Sequence, residues 1–209
     1  MGSPVISPTS RSQRSERGMT LIELMFACTV LAVGMAGLAL LFSTAAVAVK
    51  RNKVDSGATL VAKMVLEQIA AQDPSVTSTS VTLTDCYGSN WTVKTWGGTT
   101  ANSSAGANAN STTTSPFYGG IDFSQDLTSV PAGYKMTYQD CGSDTNKTQG
   151  YTSYDVRWRV TTLSLDSSGA IRTRLITVGA KQSNVSYKQL GTNGWSFPVN
   201  LRAIGGPLQ

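Results

Sequence analysis

The chain has 209 residues, a formal net charge of +5, 40% hydrophobic residues and no histidine. Lacking histidine, it has neither the commonest metal ligand nor the commonest general base, which argues against an enzyme. The length suits one domain plus a further segment, and the charge falls to +3 once Arg11, Arg14, Arg17 and Glu16 are set aside, so it is weak support for nucleic-acid binding.

Residues 1–18 read as a processing segment to be kept out of the fold. Ser, Thr, Pro, Arg and Gln dominate it, and Val5 and Ile6 are its only sizeable apolar residues apart from Met1. In a secretory signal the small-residue cleavage site follows the apolar stretch. Here the candidate, Gly18, precedes it, so a cut there leaves the apolar stretch on the mature chain. Arg11, Arg14 and Arg17 favour a cytoplasmic leader, although Lys50, Arg51 and Lys53 partly oppose them from the far end.

Leu24 to Val49 is a run of 26 uncharged, mostly apolar residues, long enough to span a bilayer as a helix. No proline interrupts Gly18 to Asp73, so a helix is expected from about Thr20 to Asp73-Pro74. It divides into a membrane or core half, 19–49, and an amphipathic half, 50–73. In the second half Val54, Ala58, Val61, Val65 and Ile69 recur at three- and four-residue steps, with Lys53, Asp55, Lys63 and Glu67 between them. Gly34 and Gly37 are ordinary small residues of a membrane helix. Cys28 follows Met25-Phe26-Ala27, but most of the apolar run lies after it, the wrong order for a lipoprotein signal. The odd residue is Glu23. A carboxylate inside an apolar block costs about 2.5–3.5 kcal/mol at a bilayer centre, so it is either functional or a boundary residue that snorkels to the headgroups.

From residue 74 onward Thr, Ser, Val, Tyr and Gly take over. Short strands are expected at Val81–Thr84, Trp91–Thr95 and Tyr134–Gln139. Tyr154–Leu165 and Ala170–Lys181 follow, joined by Asp166-Ser167-Ser168-Gly169, as a hairpin. Tyr154, Val156, Trp158 and Val160 alternate with Asp155, Arg157, Arg159 and Thr161, as in a half-buried strand. A last strand includes Trp195–Leu201, pushed toward an edge by Pro198. Residues 97–115 carry almost no large apolar side chain and read as an exposed flexible loop. The fold class is α+β: one long helix whose amphipathic half packs on an antiparallel sheet.

No catalytic constellation, metal set or cofactor loop is present. Asp122 with Asp126, and Asp140 with Asp144, read as solvated turns, because neither pair has the ligands of a calcium loop. Sequons at Asn90, Asn102, Asn110, Asn146 and Asn184 are expected by chance in so polar a chain. Cys86 and Cys141, 55 positions apart, are expected to pair if the head is exported. Arg157, Arg159, Arg172 and Arg174 could share one exposed hairpin face. They then form either a nucleic-acid patch or, as the more ordinary reading, a solvated face that discourages edge aggregation.

Arg17-Gly18-Met19-Thr20-Leu21-Ile22-Glu23-Leu24, followed by the apolar helix, resembles the N-terminal signature of type IV pilins and pseudopilins. The resemblance implies a pilin-like fold, cleavage after Gly18 by a prepilin peptidase, and N-methylation of the new terminus at Met19. It also implies assembly through the helix, with Glu23 pairing with the Met19 amine of a neighbour. Implied partners are other pilin subunits, the peptidase/methylase and an inner-membrane assembly platform. The implied location is the inner membrane, with the head exported, and afterwards an extracellular pilus. Family pilins often carry a head disulfide nearer the C-terminus than Cys86–Cys141. Val30 to Leu38 and the Trp158 and Ile176 strands are similar to minor pilins of the pilus modification type. A pseudopilin of a type II secretion or DNA-uptake system is the nearest alternative. A membrane-anchored binding module that never assembles is a reading of another class, and the N-terminus of the mature chain separates the two.

Overall fold

The computed structural model describes residues 20–76, 79–109, 119–141, 152–183 and 198–206. Among the described residues one α-helix, α1, runs Leu21–Ala70, and seven strands follow: β1 Ser80–Thr84, β2 Asn90–Lys94, β3 Ser104–Gly106, β4 Lys135–Asp140, β5 Thr152–Leu165, β6 Ile171–Gln182 and β7 Val199–Gly205. The chain divides into two compact units, Met1–Val47 and Ala48–Gln209. In the first unit every described residue is exposed. The second contains the rest of α1 and the whole sheet structure.

All strand pairs are antiparallel. β1 and β2 form a two-stranded sheet, and the larger sheet runs β3-β5-β6-β7, with β4 also paired to β5. The expected hairpin is β5–β6. Its turn is closed by Asp166, whose Oδ1 accepts from the Ser168 and Ala170 amides at 2.9 and 2.8 Å. β7 lies at the sheet's edge, as expected; the Trp195–Phe197 part of that expectation falls outside the described residues.

One face of the large sheet packs on α1. Alternation places Tyr154, Val156, Trp158 and Val160 of β5 beside Ile176, Val178 and Ala180 of β6, all buried. They share one core with Ala58, Val61, Ala62, Val65 and Ile69 of α1 and with Leu83 and Val93 of the small sheet. Helix stripe and strand alternation are the two local patterns that make this contact. The approach is close: a Cβ at Gly57 would overlap the Tyr154 hydroxyl, which donates to Val54 O at 3.4 Å. The small sheet is tied in at both ends. Trp158 Nε1 donates to Lys94 O (3.0 Å), and Cys86 is bonded to Cys141 at the end of β4, with Cα atoms 5.9 Å apart.

Two expectations need correction. The segment 97–115 is not a loop throughout: Ser104–Gly106 is β3, paired with Thr161 to Arg159. Asn102 N donates to Thr162 O at 2.7 Å and Thr162 N to Ser103 O at 2.9 Å, so backbone bonds supply the order that side chains cannot. Residues 110–115 fall outside the described residues. The second correction concerns the far face of the sheet, expected to be solvated. The Ile121–Gln125 segment covers part of it, with Ile121 2% exposed and its amide bonded to Asn200 Oδ1 at 2.9 Å. Gly179 is the residue that admits this cover, since a Cβ there would lie 2.8 Å from Phe123 Cε2 and 2.9 Å from Ile121 Cβ.

Candidate processing and assembly site

Gly18 and Met19 fall outside the described residues; the site becomes visible at Thr20. Thr20 directly precedes α1, and its carbonyl accepts from Glu23 N (3.0 Å) and Leu24 N (3.1 Å). Its hydroxyl accepts from Glu23 N at 3.4 Å. Thr20-Leu21-Ile22-Glu23 therefore has the Ser/Thr-x-x-Glu spacing of a helix-start capping box. That spacing is written in the sequence and gives Glu23 a role within its own chain at the helix start. A carboxylate in the first turn faces the unpaired amides of the helix start, an interaction worth about 0.3–1 kcal/mol when exposed.

The helix beyond Glu23 presents apolar surface on every side. Phe26, Val33 and Phe42 are 70%, 74% and 74% exposed, and every residue from Leu21 to Val49 is exposed. α1 is long and apolar enough to cross a membrane. Its first 29 residues, to Val49, span about 43 Å at 1.5 Å per residue, more than a hydrocarbon core of about 30 Å. Gly34 and Gly37 have no heavy atom within 4 Å of where a Cβ would stand, so nothing in their own chain requires their smallness.

The four arginines expected on one face are not brought together. Arg157 is 3% exposed and pairs with Asp155 at 2.8 Å on the covered far face, donating also to Gln125 O at 2.6 Å. Arg159 shares that face and donates to Ala107 O at 3.4 Å. Arg174 lies on the opposite face, toward α1, and is 2% exposed. Arg172 is exposed and pairs with Asp166 at 3.3 Å. The four arginines therefore form no shared exposed patch for nucleic acid. For Arg174 the strand alternation already held the correction, because it has the same parity as Ile176 and Val178.

Arg174 has a structural task instead. Its guanidinium donates to Thr95 O at 2.8 Å, to Ile69 O at 2.5 Å and, still closer, to Gln72 O. The last carbonyls of a helix have no partner within it and attract positive charge. Arg174 thus caps α1 from the sheet and holds the end of β2 against both. Burial lowers its pKa from the ordinary arginine value, an effect that Asp73 partly offsets. Of the acidic turns, Asp126 caps the short 3-10 helix Leu127–Ser129 by accepting from Thr128 N at 2.9 Å, and Asp122 accepts from Ser124 N at 2.9 Å. Asp144 falls outside the described residues. Among the described residues no group of three His, Cys, Asp or Glu side chains could hold a metal ion.

The family model of the prokaryotic N-terminal methylation motif matches residues 13–39. The chain carries a type IV pilin-like prepilin signature. The matched stretch takes in Arg14, Arg17, Gly18, Met19 and Glu23 and ends within the apolar half of α1, before the amphipathic half begins. The prepilin signature and the α+β architecture, a long helix packed on antiparallel sheets, agree with each other. No curated protein matches the chain, and no solved structure does.

Proposed function

We propose that the chain is a minor type IV pilin-like subunit, cleaved after Gly18, N-methylated at Met19 and assembled through α1. The observation that carries this reading is the methylation motif over residues 13–39, which spans the cut and the start of the helix. The uncovered apolar surface of Leu21–Val49 supports it, because such a surface needs either lipid or other helices around it. Before assembly the helix anchors the chain in the inner membrane with the head exported; afterwards it lies in an extracellular filament. The partners are a prepilin peptidase/methylase, an assembly platform and other pilin subunits. Glu23 is the assembly carboxylate, neutralising the Met19 amine of a neighbour within the apolar packing.

Mass spectrometry of the mature N-terminus tests the reading. The expected chain begins at Met19 and carries one added methyl group. A mature chain that begins at Met1 defeats it in favour of a simple membrane anchor. Gly18→Leu is expected to leave full-length precursor in the membrane, and normal processing of that variant counts against the assignment.

A further inference from the structure

β7 ends the large sheet, and among the described residues no strand pairs with its outer side. Natural edge strands are blunted by lysines, prolines or bulges, because a bare row of amides and carbonyls recruits another strand. β7 has no proline, and its one charged side chain, Arg202, lies against Gly119. Ile204, near the end of the strand, is 70% exposed. Its cross-strand neighbour is Leu175, itself only half-buried, so the two form a partly open apolar ledge on the far face.

The α1 side of the same edge holds an unsatisfied cation. Gly205 pairs with Arg174, one strand in. The two terminal nitrogens of Arg174 donate to three main-chain carbonyls, but its Nε is buried and has no acceptor among the described residues. No carboxylate there forms an ion pair with it, and Asp73 acts on it only from farther away. A Cβ built on Gly205 would stand 3.3 Å from that Nε. A buried donor without an acceptor is costly, most of all on a charged group. The side chain that Gly205 lacks leaves the way from the open edge to this donor unblocked.

We propose that β7 accepts an extended segment of a different protein as a further strand, with a carboxylate of that segment reaching Arg174 Nε across Gly205. Side chains alternate along a strand, and this sets the partner's chemistry. The residue opposite Gly205 is acidic and lies on the α1 side of the sheet. The residue next to it is apolar and lies beside Ile204 on the far side. Neighbouring strands stand about 4.8 Å apart, so glutamate, one carbon longer than aspartate, is the acid suited to crossing the width of a glycine. The contact is made at one edge and uses neither a second copy of the chain nor any part of the apolar helix. It therefore holds for a membrane-anchored chain as well as for a filament subunit.

A designed strand tests the contact. The probe is a seven-residue peptide, blocked at both ends, with glutamate at its centre, valine on each side and threonine beyond, so that either strand direction presents the same pattern. It is titrated into the full-length protein in detergent. The expected result is saturable binding that slows amide hydrogen exchange in β7. Glutamine in place of the glutamate is expected to weaken binding about tenfold, as the loss of one charge-assisted bond should. Ile204→Lys is expected to weaken binding while leaving the thermal midpoint unchanged. Gly205→Val fills the gap and is expected to bring the two peptides to one affinity; should that variant fail to fold, the peptide pair and Ile204→Lys still decide. No saturable binding, equal affinity of the two peptides for the wild-type protein, or slowed exchange only outside β7 overturns the proposal. So does slow exchange at every β7 amide before peptide is added, which means that the chain covers its own edge. Self-association that Ile204→Lys abolishes assigns the edge to a second copy and overturns it too.

Discussion

Glu23 answers to two demands that separate experimentally. Within its own chain it stands at the third position of a Thr-x-x-Glu helix start, its amide bonded to Thr20. In the proposed filament it neutralises a neighbour's terminal amine, and removing one partner of a buried pair costs about 3–5 kcal/mol. Glu23→Ala is therefore expected to be cleaved normally and to enter filaments poorly, read as the ratio of processed chain in cells to chain in sheared pili. Entry at the wild-type level would remove the pairing role and leave only the helix start. Arg174 ties helix, sheet and β2 together in the head, with three carbonyls on its guanidinium. Arg174→Met keeps much of the apolar stem but leaves those acceptors without their donor, a loss of about 2–3 kcal/mol. A thermal midpoint within a degree of wild type would show that water replaces the guanidinium and that the cap is dispensable.

Among the elements, the helix–sheet contact depends on a glycine. In open solvent Gly57→Ala would favour the helix by about 1 kcal/mol. Here the new methyl would overlap the Tyr154 hydroxyl, with Cζ at 2.8 Å. The expected result is net destabilisation, partly reversed by Tyr154→Phe in the same chain. A double-mutant cycle on thermal or denaturant stability measures that coupling, and additive effects would mean that the ring moves aside freely. Gly179 plays the matching part on the other face, where Ile121 and Phe123 reach within 3 Å of its absent Cβ. The covers on the two faces of the sheet thus each come closest at a glycine, Gly57 of α1 on one side and Gly179 of β6 on the other.

For the whole molecule, three turn carboxylates, Asp73, Asp126 and Asp166, make stability fall in acid. Amide and hydroxyl donation from Ser75 holds the Asp73 carboxyl below the ordinary value, and Thr128 does the same for Asp126. For Asp166 the Ser168 hydroxyl leads, followed by the Ala170 amide. A carboxyl whose folded pKa is depressed stabilises the fold above its unfolded value of 3.8, and that stability is lost as pH falls through the lower folded value. Thermal midpoints of the purified protein in detergent are expected to be flat from neutral pH to about pH 5 and to drop below about pH 4. Asp166→Asn should flatten part of that drop. A fall already complete between pH 7 and pH 5 would assign the acid sensitivity to other groups.

By itself the sequence determined the features written along a contiguous stretch. Helix α1 follows from an unbroken apolar run, a three-and-four stripe and a proline four residues past its end. The β5–β6 hairpin follows from period-two alternation around Asp166-Ser167-Ser168-Gly169, and the prepilin signature is eight adjacent residues. Even the inward parity of Arg174 was legible, because it alternates in step with Ile176 and Val178. Tertiary structure alone decided what covers each face. β3 has no apolar side chain beyond Ala105, and it is ordered by the backbone of β5. Asp155 and Arg157 are buried because the Ile121–Gln125 segment, about 30 residues earlier in the chain, folds over them. Periodicity records that a side chain points to one side of its own element. Whether water, a strand or a distant carbonyl waits there depends on contacts between residues far apart in sequence, which no local pattern encodes.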